Sequence, residues 1–217
     1  MEIAINKVHF PVSTLGHGRR LGIWVQGCSI HCPGCISRDT WEAGPNYQTD
    51  LDELIEGTAE WLKEADGVTV SGGEPFDQPE ALAELLQRLR QGYAGDFLVF
   101  SGYPAEKLKT EHAGLLELID VLISDPYDAK AEQTKALRGS DNQRIHLLTD
   151  LARERYPADL DISGWSDERG LDLMMDGDQI WMAGIPRPGE MARLRNKLAS
   201  LGYGANTSDQ PPVPIRA

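Results

Sequence analysis

Residues 27–35, "GCSIHCPGC", hold all three cysteines of the chain, Cys28, Cys32 and Cys35, in the spacing C-x3-C-x2-C. Thiolates crowded into one loop are soft metal ligands, and an odd set of near neighbours cannot staple distant parts of a fold, so a disulfide framework is excluded. Zinc modules use two paired knuckles or cysteines with nearby histidines. No second C-x2-C occurs in this sequence, and the only close histidine is His31, inside the motif. A 4Fe-4S cluster on three thiolates keeps one iron without a protein ligand, open to a substrate. Gly27, Pro33 and Gly34 let backbone wrap tightly around an inorganic cluster with N–H groups free to bond sulfide. Two other readings stand beside this one: incidental buried thiols, and a zinc site completed by His31.

A second chemical stretch is "SGGEP", residues 71–75. At a strand end, Gly72 and Gly73 would let backbone approach and hydrogen-bond a ligand's amino group, with Glu74 beside it for orientation; the plain alternative is a turn before a helix. Ser101 and Asp125 fall at corresponding strand ends, where barrel-type folds gather active sites, or serve as a capping serine and a turn aspartate. Arg19 and Arg20 could meet a phosphate but are more simply solvated. Trp41, six residues past the last cysteine, is placed to shelter the cluster.

These residues need a scaffold that brings strand ends together. Apolar runs at 20–28, 67–73, 96–103 and 120–125 read as strands, with "NQRIHLLT" (142–149) as a fifth. Helical spacing fills the gaps at 49–65, after a Thr49 cap, at 78–93, with Pro79 in the first turn and Gly92 at the stop, and at 105–119. Strands alternating with helices predict an α/β fold with a parallel sheet and right-handed crossovers, a partial (β/α)6 TIM-like barrel. "RGLDLMMDGDQIWMAGIP" (169–186) reads as a hairpin around an Asp-Gly turn, and 188–203 as a closing helix. The expected division is a core over 1–155, a hairpin-helix lobe over 156–205 and a flexible tail over 206–217.

The chain has 217 residues and a formal net charge of -13 with its acids dispersed, which opposes attraction to nucleic acid. No apolar run approaches the roughly 18 residues of a membrane span, and the first residues look like neither a signal nor a transit peptide. The expectation is a cytoplasmic protein with no nucleic-acid or membrane partner.

With those residues in view, "QGCSIHCPGCISRDTW" (26–41) and "SGGEPFDQ" (71–78) resemble the two most recognisable stretches of the radical S-adenosylmethionine (radical SAM) superfamily, in particular its glycyl-radical-enzyme activases; "LRGSDNQR" (137–144) resembles a later motif of the same family. The resemblance spans roughly residues 20–150. It implies one 4Fe-4S cluster on Cys28, Cys32 and Cys35, with S-adenosylmethionine chelating the open iron. One electron would split a carbon–sulfur bond, giving methionine and a 5'-deoxyadenosyl radical that abstracts hydrogen. It further implies adenine against the backbone of Gly34 to Ile36, the amino acid part near Gly72, Gly73, Glu74 and Pro75, and ribose or methionine near Ser101 or Asp125. Ser140 and Asn142 would lie near the nucleoside. Related activases often carry a lysine after the aspartate, whereas Pro126 and Tyr127 follow Asp125 here. Implied partners are a glycyl radical enzyme such as anaerobic ribonucleotide reductase and a flavodoxin or ferredoxin-type electron donor, since three cysteines cannot hold a second cluster. The alternatives are a stand-alone radical SAM enzyme acting on a small molecule or peptide, which the added lobe favours, and a non-catalytic zinc-binding module.

Overall fold

The first strand precedes everything the sequence pattern announced. In a computed structural model that describes residues 1–157, 160, 170–176 and 179–210, β1 (Glu2–Val12) runs antiparallel to β2 (Arg20–Val25), with Val8 opposite Ile23. β3 (Gln48–Asp50) pairs antiparallel with the other edge of β1. The burial of β1 follows no period of two, running through three buried positions and then four half-buried ones, so alternation could not reveal it.

From β2 onward strands and helices alternate. β2 is buried at all six positions, as a strand covered on both faces must be. α1 (Leu51–Glu64) buries Leu51, Leu54 and Thr58 and is capped by Asp50, whose carboxylate accepts from Asp52 N; the cap is one residue later than the expected Thr49 because Asp50 holds the extended conformation and Leu51 opens the helix. β4 (Gly67–Gly72) then pairs parallel to β2. α2 (Pro79–Arg90) buries Leu82, Leu85, Leu86 and Leu89, and Gly92 follows at φ +80°. β5 (Asp96–Phe100) is parallel to β4. The expected helix over 105–119 is two, α3 (Ala105–Glu111) and α4 (Ala113–Leu116), broken at His112, whose ψ of 35° leaves the helical range. β6 (Val121–Ser124) completes the parallel run.

The sheet order is β3-β1-β2-β4-β5-β6-β7, with four parallel strands at its centre. β7 (Arg144–Leu147), expected as a fifth member of the series, is antiparallel to β6. The reason lies in the link: residues 125–143 contain no helix, and a parallel return needs a crossover, usually helical, where an irregular loop does not. The described residues therefore form a mixed α/β fold on a large, mostly parallel sheet. Its main core packs Ile23, Val68, Val70, Phe97 and Val99 against Leu54, Leu82 and Leu86 of the helices, each such side chain stabilising the fold by about 1.5–3 kcal/mol.

The N-terminal ends of the parallel strands hold a buried ionic group. Arg20 is 0% exposed; its Nη2 donates to Asp96 Oδ2 at 2.8 Å and to Val68 O at 2.8 Å, and its Nε to Thr69 Oγ1 at 2.6 Å. Arg155, on α5 (Asp150–Arg155), and the Tyr156 hydroxyl reach the same carboxylate at 2.7 and 3.0 Å. A Cβ at residue 67 would stand 2.2 Å from Arg20 Nη1, so glycine is what makes room for the guanidinium. This pairing answers the question that Arg20 raised: its charge is consumed inside the fold.

Beyond α5, β8 (Leu171–Asp176) and β9 (Gln179–Gly184) form a separate two-stranded antiparallel sheet, followed by α6 (Glu190–Ser200). Ala183, Met174 and Ile185 pack with Val12, Leu15 and Trp24. Gly177 of the expected Asp-Gly turn and the last residues of the expected tail, 211–217, lie outside the described residues. Among the described residues no helix is long and apolar enough to cross a membrane.

Candidate active site

The C-terminal ends of β2, β4 and β5 meet the cysteine loop. That loop is closed at its base: Gly27 N donates to Thr40 O at 2.8 Å and Cys28 N to Trp41 O at 3.1 Å. Two glutamines stitch it to the sheet. Gln26 donates through Nε2 to Asp39 O (3.1 Å) and Glu42 O (2.6 Å), and Gln78 bridges the backbones of Ala4 and Gln26. The glycine pair of β4 then docks on the loop. Gly73 N donates to Val25 O at 2.9 Å and Glu74 N to Gly27 O at 2.8 Å. Gly72 has φ +102°, and a Cβ at Gly73 would fall 2.0 Å from Gly27 O; only glycine permits this approach. The pair thus seats one strand end against the metal loop as well as baring backbone to a ligand.

Cys28, Cys32 and Cys35 are free and half-buried, and they line a single cleft of about 360 Å³ together with Gly34, Ile36, Gly72, Gly73, Glu74 and Ser101. Burial pushes all three thiols above their ordinary value, so metal binding must release protons. Ser37 N points at Cys35 Sγ at 3.4 Å, a backbone donor of the kind that supports a ligating sulfur. His31 is stacked on Trp41, ring centroids 4.6 Å apart at 18°, and Arg38 lies over the same indole at 4.9 Å. Among the described residues no three His, Cys, Asp or Glu side chains are gathered tightly enough to hold one ion. Soft thiol donors on a glycine-lined wall fit an iron–sulfur cluster, whose separate irons take one thiolate each.

Glu74 is 1% exposed, and burial raises its carboxyl to about 7, against the pull of its hydrogen bonds. Its Oε1 accepts from Ser101 Oγ at 2.8 Å and Phe76 N at 3.0 Å, and its Oε2 accepts from Gly102 N at 2.7 Å. Glu74 and Ser101 are therefore one unit, tying the ends of β4 and β5 together at the floor of the cleft. Asp77, which carries no assigned role in the sequence reading, ties the cysteine loop to the same floor: it accepts from Ser29 N at 2.7 Å, Ser29 Oγ at 3.0 Å and Tyr103 OH at 2.8 Å. Its only sequence signal is its place in "SGGEPFDQ".

Four expected contacts are not in the cleft wall. Pro75 is buried at the start of a 3-10 turn. The Asp125 carboxylate accepts from Arg144 at 2.7 and 3.0 Å, and Arg144 also grips Glu106 at 2.7 and 2.8 Å; that pairing holds Glu106 down at about 2 and Arg144 up. Ser140 is fully buried and accepts from Asp128 N at 3.0 Å, while Asn142 is exposed and donates to Pro126 O at 2.8 Å. These side chains fold their own loop. From the same stretch Tyr127, Gly139 and Gln143 reach the cleft instead, and Met182, Ile185 and Met191 reach it from the C-terminal segment. No spacing signal marked these, because loop-to-cleft distances are set by tertiary packing.

The family description "4Fe-4S single cluster domain" matches residues 14–146. The anaerobic ribonucleoside-triphosphate reductase-activating protein of Escherichia coli K12 is 30% identical over 149 residues, covering 64% of this chain and 96% of that protein. The protein of the same name from Enterobacteria phage T4 is 31% identical over 140 residues, covering 62% and 88%. The pyruvate formate-lyase-activating enzyme of Staphylococcus aureus is 28% identical over 177 residues, covering 76% and 70%.

Proposed function

The chain belongs to the 4Fe-4S single cluster domain family and, within it, to the relatives named as reductase-activating proteins, and from that premise we propose that it is a radical SAM activase that generates a radical on a glycyl radical enzyme such as anaerobic ribonucleotide reductase. The observation that carries the reading is the convergence of three free thiols, the Gly72–Gly73 docking turn and the Glu74–Ser101 pair on one cleft at the C-terminal ends of parallel strands. Membership in an iron–sulfur family removes the zinc-module alternative.

Cys28, Cys32 and Cys35 would hold the cluster, and S-adenosylmethionine would occupy the rest of the floor. Bound there, the cluster would pass on an electron received from outside and S-adenosylmethionine would supply the hydrogen-abstracting radical. The protein's share is geometry. Gly72 and Gly73 keep strand and loop close enough for one ligand to touch both, and Gly34 to Ile36 present backbone to adenine. Glu74 and Ser101 fix the floor. Pro75, Asp125, Ser140 and Asn142 act one step removed, by shaping the loops that carry the lining residues. The sheet serves as a partial barrel of the (β/α)6 kind, with residues 156–205 as a hairpin-helix lobe and 206–217 as a tail. The electron comes from a flavodoxin or ferredoxin-type donor, and the protein works in the cytoplasm.

The test is anaerobic: reconstituted, reduced protein is mixed with S-adenosylmethionine and the reductase, and electron paramagnetic resonance is read for a glycyl doublet. The doublet is expected on the reductase; its absence with active cofactor cleavage would favour the second reading, a stand-alone enzyme on a small molecule or peptide, which the C-terminal residues in the cleft wall support.

A further inference from the structure

The family match ends at residue 146, yet the cleft does not: Met182, Met191, Ser208 and Asp209 line it together with the cysteines. The hairpin that begins this added segment is fastened to the turn between β1 and β2, where Asp172 accepts from Ser13 N at 2.7 Å, Ser13 Oγ at 2.6 Å and Thr14 N at 3.1 Å. α6 follows and buries Met191. Past the helix the chain runs exposed through residues 201–204, and burial then returns at Thr207, Ser208 and Asp209. Three polar residues have no hydrophobic reason to lie back on the body, so their hydrogen bonds must account for it.

Those bonds form one compact fastening. Gln210 N donates to Thr207 O at 3.0 Å, closing a turn. Thr207 Oγ1 bonds Asp209 Oδ1, and Arg195 of α6 grips both residues: its Nη1 donates to Asp209 Oδ1 at 2.7 Å and Oδ2 at 3.0 Å and meets Thr207 Oγ1. The Arg195 and Asp209 side chains are 20% and 25% exposed, sheltered enough for charge-assisted bonds to count.

The turn so pinned reaches the cysteine loop. Ser208 O accepts from Arg38 N at 3.0 Å. That N–H belongs to the peptide unit whose carbonyl, Ser37 O, accepts from Thr40 Oγ1 at 2.7 Å, so the unit is held at both ends. The amide just before it, Ser37 N, is the one that points at Cys35 Sγ at 3.4 Å. Ser208 and Asp209 line the cleft beside Ser37 and Asp39. Donors to the sulfurs and control of solvent access are two levers that a protein holds over an iron–sulfur cluster, and this turn touches both.

We propose that the Thr207–Gln210 turn is a retaining strap on the Cys35 side of the cysteine loop: it steadies the backbone that supports the Cys35 sulfur and slows the loss of a bound cluster's iron to dissolved chelators. The proposal rests on the iron–sulfur reading of the cleft. Arg195 and Asp209 are positioning residues that touch no reactant.

The test uses full-length, anaerobically reconstituted protein and the variants Arg195→Met, Asp209→Ala, Asp209→Glu and the double variant of the first two. The readouts are iron and sulfide content after reconstitution, the rate of iron release to excess chelator, and the thermal midpoint of apo-protein. Arg195→Met and Asp209→Ala take up iron and sulfide as the wild type does and keep its midpoint, but release iron about fivefold faster, the scale of one charge-assisted hydrogen bond in a partly exposed pair. Asp209→Glu, which keeps the carboxylate, recovers part of the protection. The double variant is no faster than either single one, because both cut the same fastening. A merely structural role would lower midpoint and iron uptake together while leaving the release rate of the loaded fraction unchanged, and that result overturns the proposal, as does a wild-type release rate in both single variants. Should the wild-type protein take up no iron and sulfide at all, the iron–sulfur reading itself fails; that outcome is distinct from a loaded wild type with indifferent variants.

Discussion

The two ends of the parallel strands hold opposite kinds of polar group. At the N-terminal end Asp96 is buried and met by Arg20, Arg155 and Tyr156; burial alone would raise its carboxyl, but the Arg20 guanidinium and the other donors bring it below its ordinary value. At the C-terminal end Glu74 is equally buried, its partners are a hydroxyl and two amides with no cation, and its carboxyl rises to about 7. One end is electrostatically finished within the fold. The other keeps a carboxyl near neutrality, three free thiols and bare glycine backbone beside an open cleft. The difference separates what holds the sheet together from what the sheet is for.

The widest separation is expected from the cysteines. Replacing Cys28, Cys32 or Cys35 by alanine abolishes iron and sulfide retention and the visible absorbance of reconstituted protein, while apo-protein stability in urea changes by no more than about 1 kcal/mol. Asp96→Ala inverts the pattern. It strands the Arg20 charge and costs about 3–5 kcal/mol of unfolding free energy, yet the fraction that remains folded binds iron as the wild type does. If Asp96→Ala instead eliminated iron from folded protein, the two ends would not be separable.

Gly73→Ala probes the joint between strand and loop. The new methyl collides with Gly27 O, an overpacking of about 1–3 kcal/mol, and S-adenosylhomocysteine affinity measured by calorimetry drops with it because the strand end is pushed off the cysteine loop.

Acid and base sharpen the same contrast. The unfolded-state reference for Glu74 is 4.5 and its folded value about 7, so its contribution to stability is complete below the lower value and is lost as pH rises through the upper one. Apo-protein should therefore lose stability, on the order of 3 kcal/mol at most, between about pH 5 and pH 8. Glu74→Gln should flatten that slope in parallel urea titrations. Asp96 has the opposite sign: its contribution is present above 3.8 and is lost only as pH falls below it through the lowered folded value. It is silent in the range where Glu74 titrates. The smallest effect belongs to Asn142→Ala, an exposed residue with one bond to Pro126 O, where midpoint stability should move by about 0.5 kcal/mol or less.

Much of this was legible in the sequence because it is local. The C-x3-C-x2-C spacing, the SGGEP turn and the leucine periodicity of α1 and α2 each announce themselves within a few residues. What escaped is non-local. β1 has no clean alternation; its place in the sheet comes from pairing with β2 across the turn at 13–19. β7 was read as a strand, but its direction depends on the helix missing from 125–143. Asp125, Ser140 and Asn142 are the polar types a nucleoside site uses; in the fold they pair with Arg144, the Asp128 amide and the Pro126 carbonyl, partners that no local spacing announces. Asp172 and Asp77 are the reverse case, ordinary surface acids by sequence whose acceptor geometry becomes visible only when the turn at 13–14 and the loop at Ser29 are brought to them.

The central claim is that the C-terminal end of this sheet carries a three-thiolate cluster able to cleave S-adenosylmethionine. Its most direct test is chromatography of an anaerobic, dithionite-reduced, reconstituted sample. The account predicts 5'-deoxyadenosine and methionine in equal amounts, with none from the Cys28→Ala protein; cluster-loaded, reduced protein that leaves S-adenosylmethionine intact would contradict it.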